Sequence, residues 1–266
     1  MRDDWLVPAW PAPANVRAVC TTRSGGQSLA PYDGLNLGDH VGDAPAAVAA
    51  NRQQLQEAIG TRPVFLRQVH GRAVAGLGPS SGDGIEADAC MTAAPGVACT
   101  IMVADCLPVL LTDLGGTAVA AAHAGWRGLA GGREGGVLEA VHQQLCDSMR
   151  ADRTQSTAEL IAWLGPCIGP QAFEVGPEVR AEFLAHDPAA AAMFREHGNG
   201  KWLADLQGLA RQRLQALGVT RIHGNDGGRD WCTVANPSRF FSHRRDSGVL
   251  GGSGRFAACV WLDPVR

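Results

Sequence analysis

Three residues of types that bind transition metals stand at the ends of short apolar runs: His70, Cys106 and His123. The lengths of these runs, and the Gly, Pro and Asp residues around them, predict buried β-strands. The runs occupy residues 63–69, 97–104 and 117–122. If the strand ends converge, one thiolate and two imidazoles meet, and a tetrahedral ion held by three protein ligands keeps one position open. Catalytic zinc sites have this arrangement.

The spacing of these residues alone is a weak signal, because the chain has no CxxC or HExxH motif. Buried cysteines are common in cores, and a single histidine at a strand end often has a structural role. Each of the three residues, however, lies close to a residue that turns the chain, namely Gly71, Pro108 or Gly125. Three such coincidences favour a functional site.

The overall composition predicts one soluble domain spanning residues 1–266, with a core rich in small apolar residues. The net charge of −3 and the pI of about 6.2 give no basic footprint for nucleic acid. Acidic residues at positions 3 and 4 argue against a secretory signal, and the longest apolar stretch, 97–111, is interrupted by Asp105 and Pro108. We therefore expect a cytoplasmic protein that does not bind membranes, with its eight cysteines reduced.

Periodicity and end signals predict further elements that would position the site. A helix is expected from Asp43 to just before Gly60, and Pro177 is expected to open another. A hairpin turn at 113–116 would join the Cys106 and His123 segments. The remaining predictions are helices at about 133–149 and 202–217 and strands at 159–165 and 255–262.

Several motifs together resemble one family. The chain is similar to bacterial members of the laccase-domain-containing, or polyphenol oxidase, family, now described as purine nucleoside phosphorylases. The resemblance covers about residues 16–262. The motifs are Thr21-Thr-Arg-Ser-Gly-Gly with Asn36-Leu-Gly-Asp-His-Val-Gly-Asp43, Gln68-Val-His-Gly71, Glu86-Ala-Asp-Ala89, Ala104-Asp-Cys-Leu-Pro108, His123-Ala-Gly-Trp-Arg-Gly128, Leu164-Gly-Pro-Cys-Ile-Gly169 and Phe240-Phe-Ser-His-Arg-Arg-Asp246.

The resemblance implies a single α+β domain in which mixed β-sheets pack together with helices outside. It also implies a zinc ion bound by His70, Cys106 and His123. The implied activities are phosphorolysis of adenosine, inosine, guanosine and 5′-methylthioadenosine, together with adenosine deamination. The implied partners are a nucleoside and inorganic phosphate, and the implied state is a monomer.

Copper-dependent polyphenol oxidation, the older description of the family, is a weaker alternative. Several coppers require a dense set of histidines, whereas the eight histidines here are scattered and form no His-x-His pair. A Cys-His-His site could still take copper in vitro, since copper binds such donors more tightly than zinc.

Phosphorolysis requires cationic donors that hold phosphate beside the sugar. The candidates are Arg23, Arg127 and either Arg244 or Arg245, because adjacent residues of an extended chain point to opposite sides. Asn36 and Gln68 are candidates for the ribose hydroxyls or the base.

Asp105 has two candidate roles. It could shuttle protons during deamination by zinc-bound hydroxide, or it could accept the second N–H of a ligand histidine.

Two alternatives use the same residues differently. In a cysteine hydrolase acting on an amide of a peptidoglycan precursor, Cys106 would be the nucleophile and His70 or His123 the base. In a metal-stabilised binding module, Cys90, Cys167 or Cys232 would supply a fourth ligand.

Overall fold

The computed structural model describes residues 2–132, 134–151 and 159–264. The strands are β1 (Val16–Cys20), β2 (Arg62–Phe65), β3 (Val74–Gly76), β4 (Ala89–Thr92), β5 (Val97–Val103), β6 (Leu107–Asp113), β7 (Val119–Ala124), β8 (Leu160–Leu164), β9 (Glu174–Val175), β10 (Phe194–Glu196), β11 (Trp202–Ala204), β12 (Arg221–Gly224) and β13 (Phe256–Leu262). The helices are α1 (Pro45–Ile59), α2 (Trp126–Ala130), α3 (Val137–Ala151), α4 (Pro177–His186), α5 (Leu206–Ala216) and α6 (His243–Leu250).

Two mixed β-sheets form the centre of an α+β fold, as predicted. One has the strand order β1-β13-β5-β2, and the other has the order β12-β8-β6-β7-β4-β3. Most neighbouring strands are antiparallel, whereas β2 with β5, β3 with β4 and β8 with β12 are parallel. A smaller antiparallel sheet has the order β10-β11-β9.

The two large sheets pack face to face, and helices cover their outer faces. Alternate residues of β5 meet β6 and β7 across the inner core, including Ile101, Leu110 and Ala121. The outer face of the four-stranded sheet is covered by α1 through Leu55 and Ile59. Helices α2 to α5 cover the other outer face. Because β5 and β7 are covered on both faces, every residue in them is buried, which explains their continuous apolar runs.

Local signals placed several elements correctly. Helix α1 begins with Pro45 and is followed by Gly60 at a φ of 68°, the left-handed conformation that favours glycine at a helix end. Strands β6 and β7 form the predicted hairpin, and Asp113 binds three backbone N–H groups of its turn. Pro177 begins α4.

Three predictions of secondary structure were wrong in part. Residues 202–204 form strand β11, and α5 begins only after Asp205, whose carboxylate accepts the N–H of Gly208. The segment containing Arg244 and Arg245 is the first turn of α6 rather than extended chain. Helix α3 begins at Val137, and the predicted start at Arg133 lies outside the described residues.

None of the helices in the described part of the chain combines the length and the apolar character needed to cross a bilayer.

Candidate metal centre and its cavity

The side chains of His70, Cys106 and His123 come together from three separate segments of the chain. The donor atoms of the three residues lie within 4.8 Å of one another. Cys106 Sγ lies 3.9 Å from His70 Nε2, and the two imidazole rings meet edge to face with centroids 4.7 Å apart. The structure therefore brings together the three residues that the sequence singled out.

Each of the three residues reaches the cluster from a different backbone setting. His70 lies in the loop after β2 with a φ of 61°, and Cys106 follows Asp105, whose φ is 88°. Both values are uncommon for residues other than glycine. His123 lies within β7, opposite Pro108 of β6, and not beyond the end of the strand as predicted. The alternation of β7 turns its side chain towards the other two donors.

The buried carboxylate of Asp88 binds the two histidine-bearing segments. Its Oδ1 lies 2.8 Å from His123 Nδ1 and accepts the backbone N–H of His70 at 2.8 Å. Its Oδ2 accepts the N–H groups of Val69 and Gly71 at 3.2 and 2.6 Å. Asp88 lies in the motif Glu86-Ala-Asp-Ala89, but the sequence alone did not indicate its contact with the histidines.

Gly125 leaves the space that the cluster occupies. A Cβ atom at this position would lie 2.9 Å from His70 Cδ2, 3.0 Å from Cys106 Sγ and 3.6 Å from His123 Nε2. The φ of Gly125 is −67°, so glycine is required here for space rather than for backbone conformation.

The donor set fits a divalent metal ion. Tetrahedral zinc with Zn–S of about 2.3 Å and Zn–N of about 2.0 Å requires S···N separations of roughly 3.5 Å. The observed 3.9 Å between Cys106 Sγ and His70 Nε2 differs from this by a few tenths of an ångström. Among the described residues no fourth His, Cys or carboxylate joins the cluster. Cys167 instead contacts Gln207, and Cys232 Sγ accepts the N–H of Gly169.

The electrostatics of the cluster favour a thiolate. Burial opposes ionisation of Cys106, but His123 and His70 outweigh it and lower the pKa of the Cys106 thiol to about 6. Burial also opposes protonation of His123, but Cys106 and Asp88 outweigh it and raise the pKa of His123 to about 9. Both shifts favour a Cys106 thiolate beside a protonated His123, and thiolate is the form of cysteine that binds metals.

A cavity of about 500 Å³ opens beside the cluster. Of the residues predicted to contact substrate, Gln68, Arg127 and Arg244 line it, as does Asp105. Its wall also contains residues that the sequence did not single out, which are His40, Met102, Val103, Ala104, Trp126, Ile168, Phe173, Leu206, His243 and Arg255. The cavity thus combines apolar and aromatic surface with guanidinium groups. This combination suits a flat heterocycle bound next to a separate anion.

Asp105 does not hold a ligand histidine. Its Oδ1 accepts the hydroxyl of Thr233 at 2.5 Å, and its Oδ2 accepts the backbone N–H of Arg244 at 2.6 Å. These bonds fix the start of α6 against the loop that carries Cys106. The contact with a histidine of the cluster, His123, belongs to Asp88 instead.

Three predicted substrate residues have structural roles away from the cavity. Arg23 binds the carbonyl oxygens of Asp33 and Pro237. Asn36 is fully buried, and its amide group bonds Gly38, Asp43 and the N–H of Arg255. Arg245 pairs with Asp246 and donates to the carbonyls of Thr233 and Phe240, so Arg244 is the member of the pair that faces the cavity.

Gln68 lines the cavity while holding its wall. Its Nε2 donates to the carbonyl oxygen of Met102 at 2.8 Å, and its Oε1 accepts the Met102 N–H at 2.9 Å. Both ends of the amide are therefore engaged by β5. This arrangement fixes the loop of His70 against the strand that leads to Cys106.

Known proteins resemble this chain over nearly its whole length. The model of the family described as multi-copper polyphenol oxidoreductase laccase matches residues 17–263. A protein of Pseudomonas aeruginosa named purine nucleoside phosphorylase is 53% identical over 97% of this chain and 98% of its own length. The purine nucleoside phosphorylase YfiH of Escherichia coli is 47% identical, with 97% and 98% covered.

Solved structures have the same fold. A protein of Neisseria meningitidis superposes with a TM-score of 0.83 at 44% identity and covers 98% of this chain and 100% of its own. YlmD of Geobacillus stearothermophilus superposes with a TM-score of 0.83 at 30% identity, with 97% and 96% covered.

Proposed function

This chain belongs to the multi-copper polyphenol oxidoreductase laccase family, and on that premise we propose that it is a zinc-dependent purine nucleoside phosphorylase. The observation that carries the proposal is the three-donor cluster of His70, Cys106 and His123, which borders a cavity containing guanidinium groups. Relatives named purine nucleoside phosphorylase support the reaction class. The proposed substrates are adenosine, inosine, guanosine and 5′-methylthioadenosine, and the proposed active unit is a cytoplasmic, monomeric single domain.

Phosphorolysis forms a bond from a phosphate oxygen to C1′ of the ribose and breaks the bond to the purine nitrogen. The cavity therefore has to hold phosphate beside the sugar, and Arg127 and Arg244 are the proposed donors. Arg244 is held in place by the carbonyl oxygens of Ala172 and Glu174, and Arg127 stacks on the ring of Trp126. Trp126 and Phe173 offer aromatic surface for the purine. His70, Cys106 and His123 would hold the zinc ion, which would supply Lewis-acid stabilisation of developing negative charge.

The direct test is product analysis. Metal-quantified protein is incubated with adenosine, with and without inorganic phosphate, and the products are separated by chromatography. We expect adenine and ribose 1-phosphate only when phosphate is present. Adenosine that stays unchanged under both conditions would contradict the proposal.

Arg244→Gln is expected to raise the KM for phosphate by roughly 10- to 100-fold, because hydrogen bonds to charged groups contribute about 1.5–3 kcal/mol. The KM for the nucleoside should change much less. Steady-state kinetics with each substrate varied in turn measures the two effects. The matched control is Arg195→Gln, since Arg195 is exposed, bonds Gln171 and does not line the cavity. An unchanged phosphate KM in Arg244→Gln would remove Arg244 from the phosphate site.

Adenosine deamination is proposed as a second activity of the same cavity. Asp105 lines the cavity next to Cys106 and is the proposed proton shuttle. Inosine formed from adenosine without phosphate, in the same chromatographic experiment, would report this activity.

The cysteine hydrolase remains the principal alternative, because His70 Nε2 lies 3.9 Å from a thiol whose pKa is lowered to about 6. Multi-copper oxidation is a weaker alternative. In the described part of the chain the only cluster of potential metal ligands has three donors, which serves one ion rather than several.

A further inference from the structure

Asp88 is a fully buried carboxylate that accepts hydrogen bonds from both histidine-bearing segments of the metal cluster. It directly precedes β4, the neighbour of β7, and its own carbonyl oxygen accepts the N–H of His123 at 2.7 Å. Its backbone N–H donates to the carbonyl of Ala73. The carboxylate is therefore fixed in place by the sheet.

One oxygen of Asp88 determines which ring nitrogen of His123 faces the cluster. Because a carboxylate accepts hydrogen bonds, the contact of 2.8 Å between Oδ1 and His123 Nδ1 places the proton on Nδ1. The lone pair of the neutral ring is then on Nε2. That atom lies on the side of the cluster, since a Cβ at Gly125 would contact His123 Nε2 and Cys106 Sγ together.

The same carboxylate shapes the loop of His70. Three consecutive N–H groups, from Val69, His70 and Gly71, point at the two oxygens of Asp88. Backbone N–H groups arranged in this way form a concave binding site for an anion. Here the anion is the carboxylate of Asp88. His70 has a φ of 61° and is exposed, so core packing does not hold its unusual conformation.

We infer that Asp88 is the positioning residue of the metal centre and presents two of its three ligands, His70 and His123, in the geometry that binds the ion. This inference rests on the proposed metal site and extends it to a residue outside the ligand set. Cys106 is positioned independently, through the bonds of Asp105 to Thr233 and Arg244.

The test is the affinity of Asp88→Asn for zinc, measured by competition with a chromophoric chelator. An asparagine of the same size has one acceptor oxygen, so its NH₂ group must face either the His123 and His70 donors or those of Val69 and Gly71. We expect zinc affinity to fall by about 10- to 100-fold, the usual cost of losing a partner of a ligand histidine. Affinity is measured without substrate, so the result does not depend on whether the chain is a phosphorylase.

Asp113→Asn is the matched control. Asp113 is also fully buried, and its carboxylate accepts three backbone N–H groups, from Gly115, Thr117 and Ala118, at the far end of the hairpin of β6 and β7. Its replacement disrupts a comparable set of bonds away from the cluster, so zinc affinity should match that of the wild type. Equal losses of affinity in both variants, or no loss in Asp88→Asn, would overturn the inference.

A second measurement needs no variant and covers the case in which Asp88→Asn does not fold. Nitrogen NMR of the zinc-loaded wild-type protein, labelled with ¹⁵N-histidine, reports the proton position on each ring. We expect His123 to have a proton on Nδ1 and none on Nε2. A proton on Nε2 of His123 would overturn the inference.

Discussion

Cys106→Ala is expected to lose bound zinc and to lower nucleoside phosphorolysis by more than about 100-fold. Losing a residue that only hydrogen-bonds a metal ligand already lowers metal affinity or activity by about 10- to 100-fold. The thiolate is the only anionic donor of the described cluster, and the remaining pair of histidines offers two ligands to an ion that prefers four. Metal analysis after gel filtration and a phosphorolysis assay measure the two losses together.

Cys146→Ala is the control for this variant. Cys146 is also a free cysteine beside a histidine, with its Sγ 3.7 Å from Nε2 of His142, but it lies on α3 outside the cluster. Its replacement should leave zinc content and activity unchanged. A Cys106→Ala protein that retains stoichiometric zinc would contradict the assignment of Cys106 as a ligand.

Alkylation of the wild-type protein separates a ligand from a nucleophile at the same residue. A coordinated thiolate is protected by the metal, whereas a nucleophile must be free to attack. We therefore expect iodoacetamide to label Cys106 much faster after zinc is removed with a chelator. Equal labelling with and without the chelator would favour the cysteine hydrolase.

Gly125→Ala is expected to lower zinc affinity and to slow phosphorolysis by about 100-fold, the loss of rate that a displacement of about 1 Å can cause. The added methyl group would lie 3.0 Å from Cys106 Sγ and 2.9 Å from His70 Cδ2, closer than van der Waals contact. His70 is the donor with the most freedom to move, because it lies in an exposed loop. The methyl group would therefore push His70 away from the other two donors.

Gly76→Ala provides the comparison for this steric effect. Gly76 lies in β3, which belongs to the same six-stranded sheet as β7, the strand that Gly125 follows. A Cβ atom at Gly76 would meet nothing within 4 Å. Zinc affinity and phosphorolysis should equal those of the wild type. If Gly125→Ala also binds zinc with wild-type affinity, the bound ion does not depend on the close approach of His70 and Cys106 to Gly125, and this prediction is wrong.

The fold was predictable wherever local signals and burial agreed. Strands β5, β6 and β7 follow from continuous apolar runs, and Pro45 and Gly60 mark the two ends of α1. The sequence predicts a helix over residues 202–204 because Leu203 continues the spacing of the leucines in α5. Pairing of β11 with β9 and β10 outweighs that spacing. The cap at Asp205 was the local signal that could have separated the two elements.

The sequence predicted that His70, Cys106 and His123 come together, but it did not predict the cavity beside them. His70, Cys106 and His123 stand out by residue type. Asp88 reaches the cluster, and Arg255 reaches the cavity wall, through tertiary contacts that no local pattern encodes. Arg23 and Asn36 belong to distinctive motifs, yet those motifs preserve the shape of a loop. A motif alone does not separate a side chain that binds a ligand from one that binds its own backbone.

The measurement that tests the central claim most directly is X-ray absorption at the zinc edge on protein loaded with one equivalent of zinc. The account predicts one sulfur ligand at about 2.3 Å and two imidazole nitrogens at about 2.0–2.1 Å, with a light-atom donor in the remaining position. A spectrum without sulfur, or with two or more sulfur ligands, would contradict a centre built from His70, Cys106 and His123.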